Sequence, residues 1–239
     1  MKEFRGYLQA DAYGGYDGIY SNDSKSVDQT KSPEQGITEV ACWAHCRRYW
    51  YKARELDPVR AHHVLAYVGQ LYEIERATRD CDAVTRHAQR VERAAPLLAE
   101  LEQWLEQETF LPKSVIGKAA TYTGNQWVAL NCYVEDGDLS IDNNFAERAM
   151  RPIAISRKNW LFVGSELAGH RAAILTSLIA SCKNNFVEPW AYLQDVLSKI
   201  PHGLQEQPLQ ELLPDQWLKA NPDKRWEIAK NRKAERKAM

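Results

Sequence analysis

The sequence predicts a mixed α/β chain in which strand-bearing flanks are split by a long all-helical segment. Two observations carry that expectation. Residues 7–10 and 37–42 are short apolar runs bounded by glycine or polar stretches, the pattern of brief strands. From Val59 to Val134, by contrast, apolar residues recur at helical spacing and strand formers are scattered.

The elements follow in order. The first strand, residues 7–10, ends at Asp11, and Gly14-Gly15 supplies a turn. Residues 21–36 are polar and read as a loop. A second strand is predicted over 37–42 and a helix over 43–56, stopped by Pro58. In the helical segment Val64, Leu65, Val68, Leu71 and Tyr72 line one face. Pro96 is expected to separate two helices, the second faced by Leu97, Leu98, Leu101, Trp104 and Leu105. A further helix is expected over 114–134. A third strand candidate falls at 160–163. Helices are predicted over 170–184 and from Pro189 to about Ile200. The expected organisation is residues 1–56 and 137–201 as two parts of one core, 57–136 as a helical insertion, and 202–239 as a basic tail.

Composition bounds the function. With 44% hydrophobic and 26% charged residues this is the make-up of a soluble globular chain. The longest apolar stretch, near residues 172–180, is far short of the roughly 20 residues of a membrane helix. Five cysteines and no visible signal peptide argue for a reducing cytoplasm. Net charge is −1, so nucleic-acid binding must use local patches. Residues 219–239 form one, with eight Lys/Arg against three Asp/Glu.

The densest chemistry lies between Asp142 and Ser165. Asp142 is a helix N-cap candidate. Glu147 and Arg151 lie four apart and share a helix face. Pro152 is expected to end or kink that helix. Arg148, Arg151, Arg157 and Lys158 surround the acid Glu147. A carboxylate among fixed cations suits phosphate handling; a capped surface helix with ordinary ion pairs is the plainer reading. Upstream, Cys42, His45 and Cys46 are close enough in sequence to suggest zinc, but no fourth ligand stands at a matching spacing, and buried cysteine packing competes. Trp160 could stack on a base or pack in the core, and Tyr13 and Tyr16 read as core.

The wording of that segment, Asp-Asn-Asn-Phe-Ala-Glu-Arg-Ala-Met-Arg-Pro-Ile-Ala-Ile-Ser-Arg-Lys-Asn-Trp-Leu-Phe, resembles the C-terminal catalytic segment of the insertion sequence 66 family of bacterial DDE transposases. Three more stretches are similar to the same family in the same order: Tyr7-Leu8-Gln9-Ala10-Asp11-Ala12-Tyr13-Gly14-Gly15-Tyr16, Cys42-Trp43-Ala44-His45-Cys46-Arg47-Arg48, and Ser177-Leu178-Ile179 through Pro189-Trp190-Ala191-Tyr192-Leu193. The resemblance implies an RNase H-like core, incomplete at its N-terminus and interrupted by the helical insertion. It implies metal-dependent DNA strand cleavage and transfer with Mg²⁺ or Mn²⁺, two metals flanking the reacting phosphorus. Asp11 matches the second acid and Glu147 the third, as metal ligands and catalytic residues. His45, in a Cys-x-x-His arrangement, would touch the scissile phosphate or orient a water. Arg47, Arg48, Arg148, Arg151, Arg157 and Lys158 would hold DNA.

The family's first acid lies on an earlier strand, and only ten residues precede Asp11. The expectation is therefore the C-terminal part of a longer transposase, with little activity by itself. A non-catalytic DNA-binding or oligomerisation remnant is the alternative. The implied partners are DNA, as transposon ends and target, further copies of the chain on that DNA, and accessory proteins of the element. No membrane is implied; the expected location is the bacterial cytoplasm, at the nucleoid when DNA is bound.

Overall fold

The structure is a computed structural model that describes residues 4–12, 14–20, 36–160, 162–199 and 208–226. Most of the predicted 21–36 loop, Tyr13, the side chain of Tyr16 and the tail beyond Trp226 lie outside these residues. The chain divides into two compact units, Met1–Arg148 and Ala149–Met239.

In the first unit, β1 (Gly6–Gln9) and β2 (Ile37–Val40) form a two-stranded parallel sheet, in register Gly6↔Ile37 to Gln9↔Val40. Gly6 opens β1 at φ +119°, a conformation that only glycine adopts without strain. After a short helix α1 (Asp17–Tyr20), β2 leads directly into α2 (Trp43–Ala53). Helix α2 buries Trp43, Cys46, Trp50 and Ala53, a stripe at spacings of three and four. Both indoles have partners: Trp43 donates to the Leu130 carbonyl at 2.8 Å and Trp50 to Thr123 Oγ1 at 2.9 Å. Buried indole N–H groups need such acceptors, so these two bonds fix α2 against the chain around residues 123–130.

Helix α3 (Pro58–Ala77) starts at an Asp57 cap, with Pro in its first turn, and buries Ala61, Val64, Val68, Leu71 and Ile74. Then α4 (Ala83–Gln89) and α5 (Ala95–Gln107) follow, joined by one π turn over Arg90–Ala94. The expected break at Pro96 does not occur. Pro96 is the second residue of α5, directly after the π turn, and helical structure runs unbroken from Ala83 to Gln107. The predicted 114–134 helix is three pieces: α6 (Val115–Asn125), α7 (Trp127–Asn131) and a 3₁₀ turn, Cys132–Val134. These helices share one core with the sheet. Val40, Trp43, Trp50, Val64, Leu71, Leu101, Leu130 and Tyr133 all belong to it.

Helix α8 (Asn144–Ser156) crosses the division between the units. In the second unit, α9 (Glu166–Asn184) begins at a Ser165 cap, four residues earlier than predicted. A small core of Cys182, Val187, Tyr192, Val196, Leu212 and Trp217 joins α9, α10 (Pro189–Lys199) and α11 (Pro214–Ala220). The strand expected at 160–163 is not formed at described residues 160, 162 and 163. Trp160, Phe162 and Val163 are each more than half exposed, so they meet no apolar layer among the described residues. The described architecture is thus mainly helical with one small parallel sheet. No described helix is long and apolar enough to cross a membrane.

Candidate active site

The site forms where the N-terminal ends of α2 and α8 meet. The chain ahead of α8 lies across the start of α2: Trp43 N donates to Ile141 O at 3.1 Å, and Asn143 N to Cys42 Sγ at 3.4 Å. These contacts join residues about a hundred positions apart. They bring His45 Nε2 to 3.4 Å from Glu147 Oε1. The imidazole is mostly buried, 16% exposed, while the Glu147 side chain is 40% exposed. His45 Nδ1 is buried and meets no hydrogen-bonding group among the described residues. The pair therefore has a solvent-facing carboxylate held against a sequestered ring.

Asp142 is not the N-cap residue. The helix starts at Asn144, and Asp142 instead makes an Asx turn. Its Oδ1 accepts from Asn144 N at 3.1 Å, and its Oδ2 accepts from Asn144 Nδ2 at 2.6 Å and from Tyr72 OH at 2.8 Å. Burial, then the Asp142 charge, pushes the Tyr72 phenol well above its usual pKa, so it stays a donor. Asp142 thereby ties the start of α8 to α3. Pro152 neither ends nor removes the helix, which continues to Ser156. Its lack of N–H deprives the Arg148 carbonyl of the usual donor, and the division between units falls just after Arg148.

Asp11 is exposed and lies two residues past the end of β1. Gln9, two residues earlier, donates to Ser140 O at 2.6 Å, so β1 also touches the segment leading to Glu147. Ala12 has φ +59°, a strained value for a residue with a Cβ. The Asp11 charge reaches the Tyr122 phenol, whose pKa is raised mainly by burial and then by Cys46 and Cys42.

The zinc set does not assemble. Cys42 is occupied by Asn143, Cys46 contacts Thr123 Oγ1 at 3.3 Å, and His45 turns to Glu147. Burial pushes the Cys46 thiol up to about 12, which keeps it protonated. Among the described residues no group of three His, Cys, Asp or Glu could hold a metal. Asp11 and Glu147 are nonetheless water-accessible carboxylates, donors of the kind Mg²⁺ takes singly or in pairs while keeping water.

Arg47 and Arg48 are exposed on α2; Arg148, Arg151, Arg157 and Lys158 are exposed on α8 and the turn after it. None of the six forms an ion pair among the described residues, so the ordinary pair expected between Glu147 and Arg151 is absent there. Trp160 is 58% exposed, against the expectation of core packing.

Sequence reasoning missed Arg90. It is 1% exposed, yet every arm of its guanidinium is used. Nε and one terminal nitrogen grip both Glu75 oxygens at 2.8 and 2.7 Å. The Tyr133, Asp136 and Leu139 carbonyls accept at 2.8, 2.8 and 2.9 Å. Arg90 thus clamps the segment that delivers Glu147. Gly137, in that segment, leaves no room for a Cβ, which would fall 1.8 Å from Ala83 O. A signal existed: Arg90 precedes Ala94, Leu98 and Leu101 in one buried helical stripe, an odd place for a charge.

Comparison with known proteins places this arrangement. Residues 1–171 match the Transposase IS66 family, and residues 177–214 match the IS66 C-terminal element. The chain belongs to the IS66 transposase family. It is similar to three proteins of Sinorhizobium fredii, each called uncharacterized: y4hP, 32% identical over 235 residues, y4jD, 34% over 221, and y4qI, 34% over 215. The matches cover 91%, 91% and 88% of this chain but only 41%, 42% and 39% of those relatives. The chain therefore spans about two fifths of their length. No solved structure matches it significantly.

Proposed function

We propose that the chain forms part of the catalytic region of a DDE transposase, on an RNase H-like core, and serves metal-dependent cleavage and transfer of DNA strands. The observation that carries this reading is the 3.4 Å contact of His45 with Glu147, made between two motifs about a hundred residues apart. Asp11 and Glu147 are the proposed metal ligands, with Mg²⁺ or Mn²⁺ as the ion. The bound ion supplies Lewis-acid activation of the attacking oxygen and of the leaving one. The chain's own groups do the rest. His45 holds the Glu147 carboxylate in one orientation. Arg47, Arg48, Arg148, Arg151, Arg157 and Lys158 bind DNA phosphates. A complete two-metal site needs a further carboxylate beyond Asp11 and Glu147, so this chain by itself is proposed to bind DNA and to cut it weakly or not at all. Copies of the chain on DNA and accessory proteins of the element are the proposed partners, at the bacterial nucleoid.

The test has two arms. Calorimetric titration of the 239-residue chain with Mn²⁺ should show binding that Asp11→Asn and Glu147→Gln each weaken. Incubation with duplex DNA and Mg²⁺ should give binding with little strand transfer. Robust joining by this chain would mean that the acids are misassigned. Metal binding untouched by both substitutions would leave the non-catalytic DNA-binding reading in its place.

A further inference from the structure

We propose that the outer face of α2 is a phosphate track for duplex DNA, in which Tyr51 positions the guanidinium groups that grip the backbone. This rests on the DNA-handling reading above and adds Tyr51, Lys52 and Arg54 to it. Between Trp43 and Glu55 the chain carries Arg47, Arg48, Lys52 and Arg54 against the single acid Glu55. That local excess of positive charge stands out in a protein of net charge −1.

The geometry is particular. Arg54 Cζ sits 3.5 Å from the centroid of the Tyr51 ring, and Arg47 Cζ lies 5.6 Å from it. One exposed ring, 45% accessible, thus holds two guanidiniums. Glu55 pairs with Arg54 only at 4.0 Å and is itself 81% exposed, a weak surface pair that a phosphate would displace. With Arg54 on its face, Tyr51 is poorly placed to stack on a base; it pre-organises cations instead. The opposite side of α2 is fixed in the core by Trp43 and Trp50, so the track has a rigid support. Arg47 to Arg54 spans about 10 Å of helix, the axial rise of roughly three phosphates of one strand. The track begins two residues after His45. DNA lying on α2 would therefore run toward the His45–Glu147 pair.

The experiment is fluorescence anisotropy of the full chain with a labelled random-sequence duplex, over a range of salt concentrations. Lys52→Gln and Arg54→Gln should each reduce the slope of log affinity against log salt by about 0.9. Tyr51→Leu should weaken binding about two- to fivefold, the size of an exposed cation–π contact, while the slope is retained. Tyr51→Phe should bind as wild type. Arg79→Gln, on an exposed arginine distant in sequence, should change nothing. Unaltered melting temperatures would show that each variant folds. Wild-type affinity and slope in the Lys52, Arg54 and Tyr51→Leu variants would overturn the track and leave DNA binding intact. An equal loss in Arg79→Gln would overturn it too, by reducing the effect to net charge. No salt-dependent binding by the wild type would overturn both this proposal and the DNA-handling reading beneath it.

Discussion

Helices α2 and α8 hold the two halves of the candidate site, and they are embedded very differently. Helix α2 buries Trp43, Cys46, Trp50 and Ala53, with hydrogen bonds on both indoles. Helix α8 buries no residue, and leaves Phe145, Met150 and Ile155 more than half exposed. Yet α8 carries the segment richest in recognisable chemistry. The comparison teaches that the position of Glu147 does not come from packing of its own helix. It comes from the residues just ahead of that helix, which are clamped by Arg90, Tyr72 and the start of α2. A carboxylate on an uncovered helix can still be placed well when its first turn is tied down at several points.

The largest expected effect tests the clamp. Arg90→Ala leaves Glu75 unpaired and three carbonyls without a donor, and should cost about 3–5 kcal/mol in urea unfolding. A loss below about 1 kcal/mol would mean the 133–139 segment is held by something else. Next, Trp50→Phe removes the bond to Thr123 from the packed helix. A cost of about 1–3 kcal/mol is expected, and a neutral result would show that α2 is less firmly anchored than its contacts suggest. On α8, Phe145→Ala should change stability by no more than about 0.5 kcal/mol, as for other uncovered side chains. A loss as large as that of Trp50→Phe would break the contrast, because it would show that α8 is covered in solution.

The smallest effect lies in the second unit and concerns pH. Burial works against the Asp195 carboxylate, but bonds from Lys199 at 2.6 Å and the Trp217 indole at 2.7 Å outweigh it and hold its pKa below the ordinary value. A depressed folded-state pKa gives stability that is present above the ordinary carboxylate range and disappears as pH falls through the lowered value. Melts followed by tryptophan fluorescence should thus show an acid-side loss in wild type that Asp195→Asn flattens. The same acid-side loss in both proteins would assign it to other carboxylates.

Much of this molecule follows from sequence alone, because the forces concerned act over a few residues. The apolar period of α3, the helix start at residue 114, and the strands at β1 and β2 are all local matters of side-chain spacing and backbone preference. The wording of the 142–165 segment likewise pointed to the family that residues 1–171 match. Local rules failed where a neighbour in space decided the outcome. Pro96 did not break a helix: a π turn lies immediately ahead of it and helical structure continues through it. The 160–163 run had strand-forming residues but met no apolar layer among the described residues. Only the tertiary structure showed that Arg90 is an internal clamp, that Asp142 answers to Tyr72, and that Cys42 and Cys46 are buried against Asn143 and Thr123. The same holds for the pairing of His45 with Glu147. Each of these depends on groups 15 to 102 positions apart along the chain, where no periodicity links them and only burial and unsatisfied hydrogen bonds select the partner.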